Sequence, residues 1–489
     1  MEPHADHYAI LGVKPDAPAQ AITNAYRNAA RRFHPDANPD PGAADEIKRI
    51  NQAYEVLRDP ESRAAYDRAR AAADHVALDI RLTTSRHMLP ILDEPQVVYG
   101  LVRVGTNANG GAAAISTRSL LNLCVVVDRS TSMRGKRLDL VMAGLCRIIE
   151  DLQPQDALSV VSFSDRAEVV LPAATGVNKA RAVSRVSAIH AGGGTEILQG
   201  LVYGMTELHR EFGVNKINHL LLLTDGQTYG DEDDCLLLAQ MAAGDGIGIS
   251  AVGIGDEWND VFVDRLAAVT GGYSDYVAEP ETIGAVLAAR VRALATVFAE
   301  RLRLQVAPDN DVRIRNVTRV SPEPQQFDAA TRLFKLGGLS NSSDVAVLVE
   351  LELPPLRSGY HSVARLSVLA DLISTAPATL ISAVDIRMHV LRDAPTQLPP
   401  EPITDALSKI VLYQLQDKAW RLAKSGDVQA ATRMLSNLAE RLEANGESEL
   451  AEAAADQSAQ LRSTHTISPE GQKQLKYGTR ALIAPPVAS

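Results

Sequence analysis

Apolar residues recur at helical spacing in two stretches near the start of the chain. Residues 18–33 place Ile22, Tyr26 and Phe33 on one face and arginines on the other, which predicts an amphipathic helix. We expect this helix to end at His34, because helical geometry is disfavoured for a residue that precedes proline. A second periodic stretch at 47–57 follows a loop rich in Asn, Pro, Asp and Gly. The pattern predicts two antiparallel helices joined by a loop.

The middle of the chain has continuous apolar runs instead. They occupy 120–127, 158–163, 219–223 and 247–255, and helical stretches separate them. Continuous apolarity indicates strands that are covered on both faces, and the alternation with helices predicts a doubly wound α/β sheet. In such sheets, ligands bind beyond the carboxyl ends of the strands.

Alternating apolar and polar residues flank this region on both sides. Residues 76–118 and 299–395 show period-two patterns interrupted by Pro and Gly, which predicts antiparallel strands that join in one β-sandwich. Beyond Pro402 the helical period returns, and we expect a helical hairpin that caps the sandwich at 402–462. Residues 463–489 are expected to form a polar tail.

Composition narrows the functional classes. The 489 residues are enough for several domains, and no apolar run is long enough to cross a bilayer. A net charge of -11 argues against nucleic-acid binding. The first residues lack the pattern of a secretory signal, and three widely spaced cysteines suit a reducing compartment. We therefore expect a cytoplasmic protein without a membrane or nucleic-acid role.

Oxygen-bearing side chains follow the predicted buried strands. Asp128, Ser130 and Ser132 come after the first strand, Thr195 follows a run of three glycines, and Asp225 ends a later strand. Carboxylate and hydroxyl oxygens are hard ligands, which suit Mg²⁺ or Mn²⁺ better than zinc. The sequence predicts a divalent-metal site at this edge of the sheet. No histidine base accompanies the cluster and the chain has no G-x-x-x-x-G-K-[ST] loop, so we expect no catalytic residues and no enzyme.

The N-terminal segment resembles the J-domain family. The matching motifs are DHYAILGV at 6–13, AYRNAARRFHPDAN at 25–38, INQAYEVLRD at 50–59 and RAAYD at 63–67. The resemblance implies an all-α J-domain over residues 1–72 that binds a DnaK-type heat-shock ATPase. Its chaperone-binding residues would be Arg27, Arg31, Arg32 and the tripeptide His34, Pro35 and Asp36. Ala29 departs from the family, which usually has leucine there, and Thr23 and Asn24 occupy positions that are often basic.

Residues 119–298 resemble the von Willebrand factor type A (VWA) domains of bacteria. The D-x-S-x-S motif at 128–132, Thr195 and the TDG motif at 224–226 match their metal-ion-dependent adhesion site. VVSFSDRAEVVLP at 160–172, GGGTEILQGL at 192–201 and GIGDEWND at 253–260 also match. The resemblance implies that Asp128, Ser130, Ser132, Thr195 and Asp225 hold the ion directly or through water. An acidic side chain of a partner would complete its coordination.

The expected architecture is therefore multidomain, with an all-α J-domain, a doubly wound α/β VWA domain, an antiparallel β-sandwich and a C-terminal helical segment. Two functions fit it. The first is a co-chaperone adaptor that stimulates a DnaK-type ATPase and binds a partner or client through the metal site. The second is a metal-dependent interaction scaffold whose J-like module does not stimulate a chaperone.

Overall fold

The computed structural model describes residues 7–14, 17–32, 43–60, 62–64, 66–67, 78–106, 118–226, 230–255, 257–309, 311–341, 343–373 and 379–482. None of the helices within these ranges is long and apolar enough to span a membrane.

The N-terminal module is helical. Its helices are α1 (His7–Leu11), α2 (Ala19–Arg32) and α3 (Ala43–Arg58). The apolar faces of α2 and α3 meet in a small core that contains Ile22, Ile50 and Leu57. Arg63 fixes the end of the module, because its Nε donates to the hydroxyl of Tyr8 at 2.9 Å. Ala29 is partly buried against this core.

Three strands precede the central domain, and the central domain itself alternates strands with helices. The first three are β1 (Leu78–Thr84), β2 (Met88–Pro90) and β3 (Gln96–Thr106). The central strands are β4 (Leu120–Asp128), β5 (Ala157–Phe163), β6 (Ala167–Thr175), β7 (Lys216–Thr224), β8 (Gly248–Ile254) and β9 (Ser274–Val277). The central helices are α4 (Lys136–Asp151), α5 (Lys179–Val186), α6 (Ile197–Arg210), α7 (Glu232–Asp245), α8 (Asp260–Thr270) and α9 (Ile283–Ala295).

The central sheet has the order β6-β5-β4-β7-β8-β9, and only the edge strand β6 runs antiparallel to its neighbour. Successive residues of β4 enter different cores: Val125 packs with α4 and α9, whereas Val126 packs with α6. Helices therefore cover both faces, which explains the continuous apolar runs in the sequence. The doubly wound α/β prediction is confirmed.

The remaining strands form the sandwich. They are β10 (Val297–Pro308), β11 (Arg313–Ser321), β12 (Gln325–Phe327), β13 (Leu333–Ser340), β14 (Val345–Leu353), β15 (Gly359–Leu372) and β16 (Thr379–Leu391). Two five-stranded sheets result, with orders β1-β3-β14-β11-β12 and β13-β10-β15-β16-β2. The strands before the central domain thus complete sheets that are built mainly from strands after it. All pairs are antiparallel except β16 with β2.

Four helices end the described chain: α10 (Glu401–Lys424), α11 (Val428–Ala444), α12 (Ser448–Thr464) and α13 (Pro469–Ala481). Ile403 and Ile410 of α10 pack on the outer face of the first sandwich sheet. The hairpin expected at 402–462 is therefore part of a larger helical unit. The prediction of a polar tail from residue 463 is wrong, because residues 469–481 form a helix. Leu475 of this helix enters the core of the helical unit. Lys473 donates to the carbonyl of Trp258 in the central domain at 2.8 Å.

Candidate metal site

Asp128 ends β4 at the carboxyl edge of the central sheet and is fully buried. Its Oδ1 accepts a hydrogen bond from the backbone N–H of Ser130 at 2.8 Å. Its Oδ2 accepts one from the hydroxyl of Thr224, the last residue of β7, at 2.7 Å. Burial raises the pKa of Asp128 to about 6, while these hydrogen bonds oppose that shift. The carboxylate is thus fixed between two neighbouring parallel strands.

Ser130, Ser132 and Asp225 form a continuous chain of oxygens beside it. The hydroxyls of Ser130 and Ser132 lie 2.9 Å apart. The hydroxyl of Ser132 donates to Oδ1 of Asp225 at 2.7 Å. The alternate positions of the D-x-S-x-S motif therefore face one point, as the sequence pattern predicts.

Thr195 joins the same edge from the glycine loop. A Cβ added to Gly226 would lie 3.0 Å from the hydroxyl of Thr195, so Thr195 sits directly against the residue that follows Asp225. The loop is tied to the first motif, because the hydroxyl of Thr131 donates to the carbonyl of Gly193 at 2.9 Å. The threonine at position 131, where the related domains often have glycine, thus contributes a contact between the two loops.

Arg137 is a functional candidate that the sequence analysis missed. Its Nη1 donates to Oδ2 of the fully buried Asp225 at 3.0 Å. Gly255 leaves room for this guanidinium, since a Cβ there would lie 2.9 Å from its Nη2. Burial raises the pKa of Asp225, and the hydrogen bonds from Ser132 and Arg137 counteract the rise. The only sequence signal for Arg137 is the group of basic residues at 134–137 that follows the D-x-S-x-S motif.

The donor set suits a small hard cation. The five predicted residues bring two carboxylates and three hydroxyls to one edge of the sheet, and Mg²⁺ prefers such oxygens. Nowhere in the described ranges do three His, Cys, Asp or Glu side chains cluster as metal ligands would. A site that depends on hydroxyls for most of its donors does not require such a cluster. The residues present therefore fit Mg²⁺ or Mn²⁺.

Basic residues are frequent in the loop and helix that follow Asp128. Arg134 and Lys136 are exposed, and Arg129 and Arg137 are partly buried, all within ten residues of Asp128. Lys136 is engaged by Glu281. Acidic residues lie at the same edge, since Glu257 acts electrostatically on Asp225 and Asp165 lies against the glycine loop, so charges of both signs surround the site.

The residues expected to contact a chaperone are placed only in part. Arg27 and Arg31 lie exposed on the outer side of α2. Arg32 belongs to the same helix, but its side chain lies outside the described residues, as do His34, Pro35 and Asp36.

Models of three known families match this chain. A DnaJ domain covers residues 6–67, a von Willebrand factor type A domain covers 122–288, and an Sll0103-like C-terminal alpha-helical domain covers 401–485. Solved structures agree on the fold. A von Willebrand factor type A protein from Catenulispora acidiphila covers 83% of this chain and 97% of its own, with a TM-score of 0.69 at 16% identity. The ArnB paralog VWA2 from Sulfolobus acidocaldarius covers 83% and 99%, with a TM-score of 0.51 at 16% identity.

Two curated relatives show how these parts are shared. The uncharacterized protein sll0103 of Synechocystis is 27% identical over 75% of this chain and 89% of its own length. The chaperone protein DnaJ of Prochlorococcus marinus is 59% identical over 63 residues, which are 13% of this chain and 17% of that protein. The likeness to DnaJ is thus confined to one module. The chain combines an N-terminal DnaJ domain, a VWA domain and an Sll0103-like C-terminal helical domain.

Proposed function

We propose that this protein is a co-chaperone adaptor. Its J-domain recruits a DnaK-type ATPase and stimulates ATP hydrolysis, while its VWA domain holds an acidic protein partner through a divalent ion. The observation that carries the proposal is the convergence of five oxygen donors at one sheet edge in a chain that also contains a DnaJ domain.

The partner-binding half depends on fixed side chains. Asp128 and Asp225 are buried and hydrogen-bonded, so their oxygens are positioned before a partner arrives. A bound Mg²⁺ would supply an electropositive centre with an open position for a carboxylate of the partner. The exposed Arg134 beside the D-x-S-x-S motif adds a longer-range attraction, which raises the association rate and weakens with salt.

The chaperone half depends on α2. Arg27 and Arg31 are solvent-exposed on one helix, so they can meet an acidic surface of the ATPase without desolvation of a buried charge. Thr23 and Asn24 reduce the basic character of this helix, which favours the alternative scaffold function. The two functions differ in whether the protein stimulates ATP hydrolysis by a DnaK-type chaperone.

Single-turnover ATP hydrolysis by a cognate DnaK-type chaperone tests the J-domain. Full-length protein should accelerate hydrolysis, His34→Gln should abolish the acceleration, and Arg27→Gln with Arg31→Gln should reduce it most at low salt. Arg58→Gln is the matched control, because Arg58 is an exposed arginine on α3. Absence of acceleration by the wild type would leave only the scaffold function.

Calorimetric titration with Mg²⁺ and cross-linked capture of the partner, with and without chelator, test the metal site. Asp128→Ala should abolish Mg²⁺ binding and Mg²⁺-dependent capture. Ser187→Ala, an exposed serine of the same domain, should retain both. Capture that persists in excess chelator contradicts the metal-dependent mechanism.

A further inference from the structure

A cavity of about 450 Å³ lies between the VWA domain and the β-sandwich. On the VWA side its lining includes His219 near the start of β7 and Gly248 at the start of β8. The candidate metal site is at the opposite edge of the sheet, where these parallel strands end. The cavity is therefore a separate site.

An irregular segment of β10 shapes the cavity. Between Ala299 and Leu302, β10 contains one more residue than its partner β13, and Arg301 within this bulge has a φ of 49°. A bulge turns side chains away from the regular alternation of a strand, and such features often occur at binding sites. The VWA side reaches β13 closely, because a Cβ on Gly271 would lie only 2.7 Å from Cα of Gly337. Direct contact between backbones thus fixes one wall.

Positive charge dominates the lining. Five basic side chains and three carboxylic acids line the cavity, namely Arg290, Arg301, Arg303, Arg319, Lys335, Glu300, Glu323 and Asp371. Asp371 is already engaged by Arg301 Nε at 2.7 Å, by Arg303 Nη2 at 3.5 Å and by the hydroxyl of Thr379 at 2.9 Å. Burial raises the pKa of Glu300 to about 8, so Glu300 is mostly uncharged at pH 7.

The partners of Arg290 and Arg319 leave the lining with an excess of positive charge. Arg290 pairs with Asp275 and lies 3.7 Å from Glu323. Arg319 is buried and donates to two backbone carbonyls, those of Glu323 at 3.0 Å and Leu336 at 2.8 Å. These neutral acceptors orient its guanidinium without cancelling its charge.

Two buried donors in the lining have no hydrogen-bond partner among the described residues: the hydroxyl of Tyr273 and Nε of Arg303. Nε of arginine can only donate, and a buried donor without an acceptor costs free energy. An acceptor inside the cavity would remove this cost. The two atoms come from opposite walls, since Tyr273 belongs to the VWA domain and Arg303 to β10.

We propose that the cavity binds a small organic phosphate. Guanidinium groups match the geometry of phosphate oxygens, and the partly exposed Val269, Val297 and Pro322 supply apolar contacts for the organic part. The volume lies within the range of about 300–1,000 Å³ that is typical of small-molecule sites.

Calorimetric titration of the full-length protein in EDTA tests this proposal, because chelation removes any contribution of the metal site. The probes are ADP, glucose 6-phosphate and inorganic phosphate, with citrate as a polycarboxylate comparison. At least one of the two organic phosphates should bind saturably, with a stoichiometry of one, more tightly than inorganic phosphate and citrate. The proposal is overturned if neither organic phosphate binds, or if citrate binds more tightly than both.

Variants then locate the site. Arg303→Gln should weaken binding at least about tenfold, because it removes a charged donor. Lys335→Gln should weaken it about threefold through a longer-range charge effect, and this exposed position avoids any question of misfolding. Arg387→Gln, an exposed arginine of the sandwich outside the cavity, should bind like the wild type. Unchanged affinity in both cavity variants would place the binding elsewhere and refute the assignment.

Discussion

Removal of the Asp264 carboxylate should release α13 from the VWA domain. Asp264 lies on α8 and accepts hydrogen bonds from Arg480 at 2.5 and 3.0 Å, from Lys476 and from the hydroxyl of Tyr477. The side chains of Asp264, Lys476 and Arg480 are 18%, 12% and 13% exposed, so these charges are largely removed from water. The nearby cations hold the pKa of Asp264 well below its usual range.

The free-energy cost of Asp264→Ala depends on which cation loses its partner. Lys476 also pairs with Asp260, so Asp264→Ala leaves Arg480 as the cation that loses its carboxylate. Breaking a buried ion pair by removing one partner costs about 3–5 kcal/mol. If α13 opens locally, that loss corresponds to an increase of about a hundredfold or more in the rate of amide hydrogen exchange.

Hydrogen exchange measured by mass spectrometry over residues 469–481 is the direct assay, with urea unfolding as a second measure. Asp417→Ala is the matched control, because Asp417 pairs with Arg421 within one exposed helix face and should contribute only about 0.3–0.5 kcal/mol. Since the folded pKa of Asp264 is depressed, its contribution is complete above the unfolded pKa and is lost as pH falls. The difference between variant and wild type should therefore shrink in acid. If α13 exchanges at the wild-type rate in Asp264→Ala at pH 7, the Asp264 carboxylate does not hold this helix.

Four further variants test other parts of the structure. In urea titrations, Glu300→Gln should gain stability relative to the wild type as pH rises from 5 to 9. The pKa of Glu300 is raised to about 8 in the folded protein, so the wild type loses stability over this range. Free energies of unfolding that change in parallel with pH would contradict the buried-carboxyl explanation. Ser132→Ala should lower the Mg²⁺ affinity measured by calorimetry at least about tenfold. The Tm should change little, because Ser132 is exposed and Asp225 keeps its hydrogen bond from Arg137. Unaltered affinity would exclude Ser132 as a ligand. Gly253→Ala should destabilise the protein by about 1–3 kcal/mol, because the new Cβ would lie 1.9 Å from the Trp258 ring. Gly244→Ala should stabilise it by up to about 1 kcal/mol, because Gly244 lies in a helix with open space around it. Equal effects of the two variants in thermal unfolding would argue against the clash.

The fold could be predicted largely from local periodicity. Period 3.6 in 18–33 and the continuous apolar run ending at Asp128 each follow from which faces of an element are covered, and a short window of sequence records that. The five oxygen donors could be predicted for a related reason. Four of them lie at the end of a parallel strand or in the loop that follows, and parallel strands bring those ends to one edge. Thr195 differs, because it lies in the glycine loop between α5 and α6. The ion itself remains a prediction.

The order of the first three modules, most of the element types and the candidate metal ligands follow from the amino-acid sequence, because each motif or period is encoded within a few neighbouring residues. The helix at 469–481 does not follow from it. Contacts between residues far apart in the chain are visible only in the folded structure. Arg480 meets Asp264 across 216 positions, and the polar letters of α13 give no sign of their partner. The charged cavity likewise combines Tyr273 with Arg303 only because the sandwich packs against the VWA domain. Such contacts depend on how whole domains meet, and no local pattern of apolar and polar residues carries that information.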